Sequence, residues 1–248
     1  MGKLNGKVAI VTGGSRGIGA GIAQALAAEG AAVVVNFASN RAAADALVHA
    51  IEASGGRAAA IGADVSRAAE AARLVEETVA RFGRLDILVN NAGGYRFAPA
   101  TDFDEALFDE MFNVNVKGLL MVTKAAIPAM PKGGSIINLG SFVSRVAPPQ
   151  SSVYTATKAA VAGITSVLSR ELGPSGIRVN SIDPGIIRTD GTKEAGIQGG
   201  DMEAFIVSQT PLGRLGEVDD IAPIAVFLAS DDARWVTGEN IIASGGMR

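Results

Sequence analysis

Cysteine is absent from this 248-residue chain. That excludes disulfides, thiolate nucleophiles and every cysteine-based metal site. Histidine occurs once, as His49, with no second imidazole to join it. Zinc centres and serine-hydrolase triads draw on histidine, so neither is expected, and no metal is. A strong charge of one sign is also missing. The chain has 22 basic and 25 acidic side chains, for a net charge of −3. Without a basic block there is no footprint for a phosphate backbone, and nucleic acid is not an expected partner. No apolar run reaches membrane-spanning length, because polar or charged residues interrupt the alanine-rich stretches. The opening MGKLNGKVAIVTGG lacks the pattern of a secretory signal, and position 6 lacks the Ser or Thr of a myristoylation signal. The expectation is a soluble, cytoplasmic protein with no membrane partner.

What is present suits a folded α/β domain. Hydrophobic residues make up 48% of the chain, charged residues 19%, and there are 31 glycines. Short β-branched runs alternate with longer helical patterns. Val8–Thr12, Ala32–Phe37, Ala58–Gly62, Leu85–Asn91, Ser135–Gly140, Ile177–Ile182 and Asn240–Ala243 read as strands. Helices are expected over Ile18–Glu29, Arg41–Ser54, Ala68–Phe82, Asp102–Met130, Ser151–Leu172 and Val218–Ser230. The strands are apolar on both faces, as in a parallel sheet covered on each side by helices. This βα alternation predicts a doubly wound, Rossmann-type α/β fold with a mostly parallel seven-stranded sheet, in one domain over 1–248. An eight-stranded barrel needs one more unit. The stretch Ile186–Thr210 reads as an irregular insertion.

Two stretches carry candidate chemistry. TGGSRGIG joins the first strand to the first helix, with glycines at 13, 17 and 19. Such a loop brings backbone close to an anion, and the helix start supplies free N–H groups for a pyrophosphate. The spacing is neither G-x-G-x-x-G nor a Walker loop. In SSVYTATKAAVAGI, Tyr154 stands four residues before Lys158. On a helix the two share a face, which serves either a reacting atom or an ordinary solvated surface.

Taken together these motifs resemble the short-chain dehydrogenase/reductase family. TGGSRGIG is similar to its TGxxxGxG cofactor motif and NNAG (90–93) to the motif after its fourth strand. Asn115, Ser141, Tyr154 and Lys158 occupy the positions of its catalytic tetrad, with Ser141 thirteen residues before Tyr154. Asn113 competes for the asparagine position, but the Val-Lys-Gly after Asn115 favours the latter. DPGIIRTD (183–190) resembles the motif at the nicotinamide end, and the resemblance runs to the C-terminus. Ser144 stands where many members have glycine.

The resemblance implies a nicotinamide cofactor. Its contacts would come from Gly13, Ser15, Arg16, Gly17, Ile18 and Gly19 in the first loop, and from Asp64, Val65, Asn91, Ala92 and Gly93 after the next strands. Tyr154, Lys158, Pro184, Gly185, Ile187 and Thr189 would complete them. A site for NAD usually ends the second strand on an acid. Here that strand ends in Asn36 and Phe37, followed by Ser39, Asn40 and Arg41. Arg16 and Arg41 suit a 2′-phosphate, so NADP(H) is expected in preference to NAD(H). Tyr154 would donate a proton to a carbonyl, its phenol lowered by Lys158. Ser141 would orient that carbonyl, and Asn115 would hold a relay water. Tyr95, Phe97, Ser141, Phe142, Val143, Gln150, Tyr154, Ile186 and Phe205 would form the substrate pocket, under a lid at about 187–210. Arg96, Arg145 and Arg188 stand near its entrance. Family resemblance also implies a homotetramer. The expected activity is reduction of a ketone or 3-oxoacyl group. A sugar, steroid or alcohol dehydrogenase and a non-catalytic cofactor-binding regulator are the alternatives.

Overall fold

The computed structural model describes residues 2–247. Seven strands form one sheet: β1 (Val8–Val11), β2 (Ala32–Phe37), β3 (Arg57–Gly62), β4 (Ile87–Asn90), β5 (Ser135–Leu139), β6 (Arg178–Pro184) and β7 (Asn240–Ala243). Their order is β3-β2-β1-β4-β5-β6-β7 and every pairing is parallel. The sheet is open and doubly wound, which rules out the barrel. Helices α1 (Gly17–Ala28), α2 (Arg41–Ala53) and α10 (Val218–Ala229) cover one face. Helices α3 (Ala68–Phe82), α5 (Leu119–Ala126) and α7 (Ser152–Leu172) cover the other.

Alternation along each strand builds both cores. Val33 and Val35 face Ile22, Leu26 and Ile221, while Val34 faces Leu74 and Val122 on the opposite side. Fully burying each such aliphatic side chain stabilises the fold by roughly 1.5–3 kcal/mol. On the face covered by α5 and α7 runs a ladder of buried amides and hydroxyls. Asn90 and Asn138 are register partners across β4 and β5. Asn90 Nδ2 donates to Asn138 Oδ1 at 2.9 Å and to Thr123 Oγ1 at 3.0 Å, and Asn138 Nδ2 donates to Thr165 Oγ1 at 2.9 Å.

Three segments differ from expectation. The helix expected over Asp102–Met130 is broken into α4 (Glu105–Phe112), a π-helical turn at Asn113–Gly118, α5 and a short 3₁₀ turn containing Pro128. Such π turns insert an extra residue and turn side chains out of helical phase; here the turn carries Asn115. A four-residue helix, α6 (Val143–Val146), follows β5 in a stretch to which the sequence assigned no element. The presumed irregular insertion holds two helices, α8 (Asp190–Glu194) and α9 (Gly200–Gln209). Thr189 and Thr192 form a capping box at the start of α8. Arg188 ties α9 to the body through ion pairs with Glu203 and, at 3.2 Å, with Glu217. No helix among the described residues is long and apolar enough to cross a membrane.

Strand order reverses between β1 and β4, so a crevice opens beyond their carboxyl ends, where open α/β sheets bind ligands.

Candidate active site

The crevice begins at the first loop. Gly13 and Gly17 have φ of +58° and +55°, backbone that an L side chain rarely adopts. Neighbouring strands hold the loop. Asn91 Nδ2 donates to the carbonyls of Thr12 (2.9 Å) and Gly13 (3.0 Å), and Thr12 Oγ1 accepts from the N–H groups of Asn91 and Ala92. The N-terminus of α1 has no side-chain cap and no acid in its first turn. Its free N–H groups and positive dipole end therefore face the crevice without competition. A Cβ on Gly19 would overlap Asn91 Nδ2 and lie 2.7 Å from the Gly13 carbonyl. The loop is packed so closely from behind that its backbone, rather than side chains, presents the anion site. A cavity of about 530 Å3 runs along it, lined by Gly13, Ser15, Arg16, Gly17, Ile18, Gly19, Asn36, Ser39, Asn40, Asp64, Val65, Asn91, Ala92, Gly93 and Thr189. The size, the glycine cradle and the uncapped helix fit an extended dinucleotide.

Arg41, expected at the phosphate, is a correction, and Asn36, expected at the cofactor, meets the cavity in an inward-turned form. Arg41 does not line this cavity; as the first residue of α2 it points along the exposed helix face, with Nε 3.2 Å from Asp45 one turn on. Asn36 reaches the wall, but its amide is buried and turned into the protein. It accepts from Gly13 N–H at 3.2 Å and donates to the carbonyls of Ile61 and Ala63. Arg16 does line the cavity, mostly exposed, with its guanidinium 4.0 Å from Glu194 of α8. Ser39 and Asn40 stand beside it. Val114, in the π turn, adds an apolar wall unforeseen from sequence.

A second cavity, of about 260 Å3, adjoins the first and shares Ile18, Asn91, Gly93, Tyr95 and Thr189 with it. Ser141, Tyr154 and Lys158 meet here, with Pro184, Gly185 and Ile187. Lys158 Nζ donates to the Leu139 carbonyl at 2.7 Å and lies 5.9 Å from the Tyr154 ring centre. Ser141 stands beside the Tyr154 phenol in this cavity. Burial pushes that phenol up from its ordinary value, while Ser141 opposes the rise. A net lowering, as expected from Lys158, is therefore not what the protein groups alone produce: the effect of burial dominates. Burial brings Lys158 down to about 8.

Asn115 is also close, but its amide is committed. Nδ2 donates to the Gly94 carbonyl (2.9 Å) and to Thr157 Oγ1 (3.1 Å), and Oδ1 accepts from Gly94 N–H (2.8 Å). It staples the loop after β4 to α7, and one lone pair of Oδ1 is all that remains for a water.

The substrate side is apolar. Tyr95, Phe97, Phe142, Val143 and Ile186 line it as expected, and Pro148, Thr192 and Ile197 join them. Tyr95, Phe97 and Tyr154 form a cluster with ring centres 5.9–6.2 Å apart. Phe205 and Gln150 do not line it. Phe205 lies on α9 with its side chain outward, 63% exposed. Gln150 contributes its backbone, whose carbonyl accepts from Ala98 N–H at 2.8 Å. Two entrance arginines are spent in ion pairs, Arg96 with Glu110 at 2.9 Å and Arg188 as above. Among the described residues no cluster of three or more potential metal ligands forms.

Comparison with known proteins gives a consistent result. A family model described as enoyl-(acyl carrier protein) reductase matches residues 13–248. An oxidoreductase of Methylorubrum extorquens is 58% identical over 248 residues, all of both chains. The 3-oxoacyl-(acyl-carrier-protein) reductase of Staphylococcus aureus is 42% identical over 97% of this chain and 98% of its own. Among solved structures, a short-chain dehydrogenase from Burkholderia cenocepacia in complex with NADP superposes with a TM-score of 0.94, at 39% identity and 99% coverage of each chain.

Proposed function

Because this chain belongs to the short-chain dehydrogenase/reductase family, we propose that it is an NADPH-dependent reductase of an apolar ketone or 3-oxoacyl group. The carrying observation is the buried Tyr154 phenol, raised above its ordinary value, with Ser141 and Lys158 beside it in the cavity that adjoins the glycine loop's. When bound, a reduced nicotinamide would supply the hydride. Tyr154 gives its proton to the carbonyl oxygen as charge develops there. Ser141 donates a second, preorganised hydrogen bond to that oxygen. Lys158 places a positive charge beside the phenol and stabilises the phenolate left behind. Its remaining N–H groups are available to ribose hydroxyls. Tyr95, Phe97 and Val143 shed water from the carbonyl and favour apolar flanks. Reductase relatives support this direction.

The test is a panel of ketones, 3-oxoacyl thioesters, sugars and steroids with both cofactors, followed by reduced-nicotinamide absorbance. Turnover of apolar ketones or 3-oxoacyl thioesters with NADPH is expected. Turnover confined to sugars or to alcohol oxidation would replace the substrate reading, and cofactor binding without turnover on any member would make the protein a regulator.

Preference for NADPH rests on Arg16, Ser39 and Asn40, with no acid at the end of β2. Arg16→Ala is expected to weaken NADPH binding by about tenfold or more, the size of a lost charge-assisted hydrogen bond, with little change for NADH. Arg41→Ala should change neither, since Arg41 is turned towards Asp45. Isothermal titration with both cofactors checks this, and equal losses for the two in Arg16→Ala would sink the phosphate assignment.

A homotetramer is part of the proposal. Exposed Val167 on α7, Phe108 on α4 and Trp235 before β7 support it. Light scattering should give a mass roughly four times the 25.2 kDa chain.

A further inference from the structure

Lys158 is a cation on the inside of the protein. Its ammonium is anchored on one carbonyl, that of Leu139. A buried ammonium without a counter-charge is costly and tends to lose its proton. The carboxylate whose charge reaches it belongs to Asp183.

Asp183 is the penultimate residue of β6 and only 3% exposed. Ser181 Oγ donates to its Oδ1 from the same strand. Gly140 follows β5 directly and bonds to β6 through the Ile182 carbonyl. A Cβ on Gly140 would overlap Asp183 Oδ1. The carboxylate therefore lies over the Gly140 Cα, one residue past the Leu139 whose carbonyl holds the lysine. On its other flank β7 offers Ile242, which is apolar. The groups whose charge acts on the carboxylate are Lys158 of α7 and Arg145 of α6.

We propose that Asp183 is a positioning residue for the reaction: its carboxylate, aimed by Ser181 and given room by Gly140, is the internal counter-ion that keeps the Lys158 ammonium charged and seated on Leu139. This rests on the role given to Lys158 above. It adds a fifth residue to the working set, one that touches neither substrate nor cofactor and lines neither cavity.

Burial raises the Asp183 carboxyl, and the Ser181 hydrogen bond together with the Lys158 and Arg145 charges pull it back down. In return its charge raises Lys158 against the effect of burial. Replacing the carboxylate by an amide removes the attraction, so Lys158 should lose its proton at lower pH. The alkaline limb of the reductive pH profile, where Lys158 becomes neutral, should move the same way.

Asp183→Asn keeps the size of the side chain and an acceptor for Ser181. We expect the Lys158 midpoint to fall by about one pH unit, the lower end of the effect of a close opposite charge. The readout is 13C-lysine NMR of the free protein, with the signal assigned by Lys158→Arg. The alkaline limb of kcat/KM for ketone reduction should fall with it, giving about tenfold lower activity at a pH above both midpoints. Ser181→Ala leaves the carboxylate but removes its donor, and should move both readouts the same way by less. It serves also if Asp183→Asn does not fold. A Lys158 midpoint unchanged in the folded variant, with activity lowered evenly at all pH values, would overturn the proposal and leave Asp183 a packing residue. The NMR midpoint needs neither cofactor nor turnover, so failure of the reductase reading would show separately.

Discussion

Tyr154→Phe is expected to lower NADPH-dependent turnover by about a thousandfold or more, within the range that a positioned proton donor contributes. The substitution removes one oxygen and leaves the ring, so the cluster with Tyr95 and Phe97 should persist. Ser141 remains, and with it the second hydrogen bond to the carbonyl. What disappears is the proton. Serine does not replace it, because an aliphatic hydroxyl is a far weaker acid than a phenol. Lys158 stays anchored on Leu139, so NADPH affinity, followed by its fluorescence, should change less than about threefold, below 0.7 kcal/mol. Near-normal turnover in this variant would show the mechanism to be wrong. Loss of cofactor binding along with turnover would instead mean that the phenol holds the cofactor.

The second large effect is expected at Gly19. Alanine there adds one methyl group, which must enter space taken by Asn91 Nδ2 and the Gly13 carbonyl. Neither can retreat cheaply. Asn91 is fixed by two donated hydrogen bonds, and Gly13 is fixed by Asn36 as well as Asn91. The loop must lift or the clamp must break. Either change moves backbone N–H groups away from the pyrophosphate position, and NADPH affinity should fall by at least about a hundredfold, near 3 kcal/mol. Overpacking of this kind costs about 1–3 kcal/mol of stability, so the melting temperature should drop by about 2–12 °C for a domain of this size. Gly55→Ala is a suitable control. That glycine, unlike Gly19, has positive φ, and its Cβ would meet nothing, so backbone strain should lower stability without touching cofactor affinity. Equal cofactor affinities in the Gly19 and Gly55 variants would contradict the cradle.

The centre of the sheet was legible because β1, β2 and β4 are buried on both faces and read as mainly apolar runs. β2, α3 and β7 fall on the expected residues. The lid was not legible for the opposite reason. None of the residues of α9 is buried, so no apolar stripe marks it as a helix, and Arg188 and Glu203 hold it by charge. The π turn was hidden because one inserted residue leaves no trace in composition. At the site, motif spacing located Ser141, Tyr154 and Lys158, but not where long side chains go. Arg41 turns to Asp45, Phe205 to solvent and the Asn36 amide inward. Asp183 was passed over as part of a motif; only the fold shows its carboxylate packed behind the lysine.

The amide ladder from Thr123 through Asn90 and Asn138 to Thr165 has a consequence for how the chain finds its structure. Valine, isoleucine and alanine fill the central strands and are near-equivalent in shape. Sliding one parallel strand by two residues would restore every inward and outward facing, and hydrophobic burial alone would barely distinguish the two pairings. The ladder removes that degeneracy. A slipped β4 or β5 would strand an amide among aliphatic side chains, at a cost of about 1–3 kcal/mol for each unpaired group. These two asparagines thus select one alignment among many of similar greasiness, and with it the placement of Asn91 and Ser141 at the strand ends.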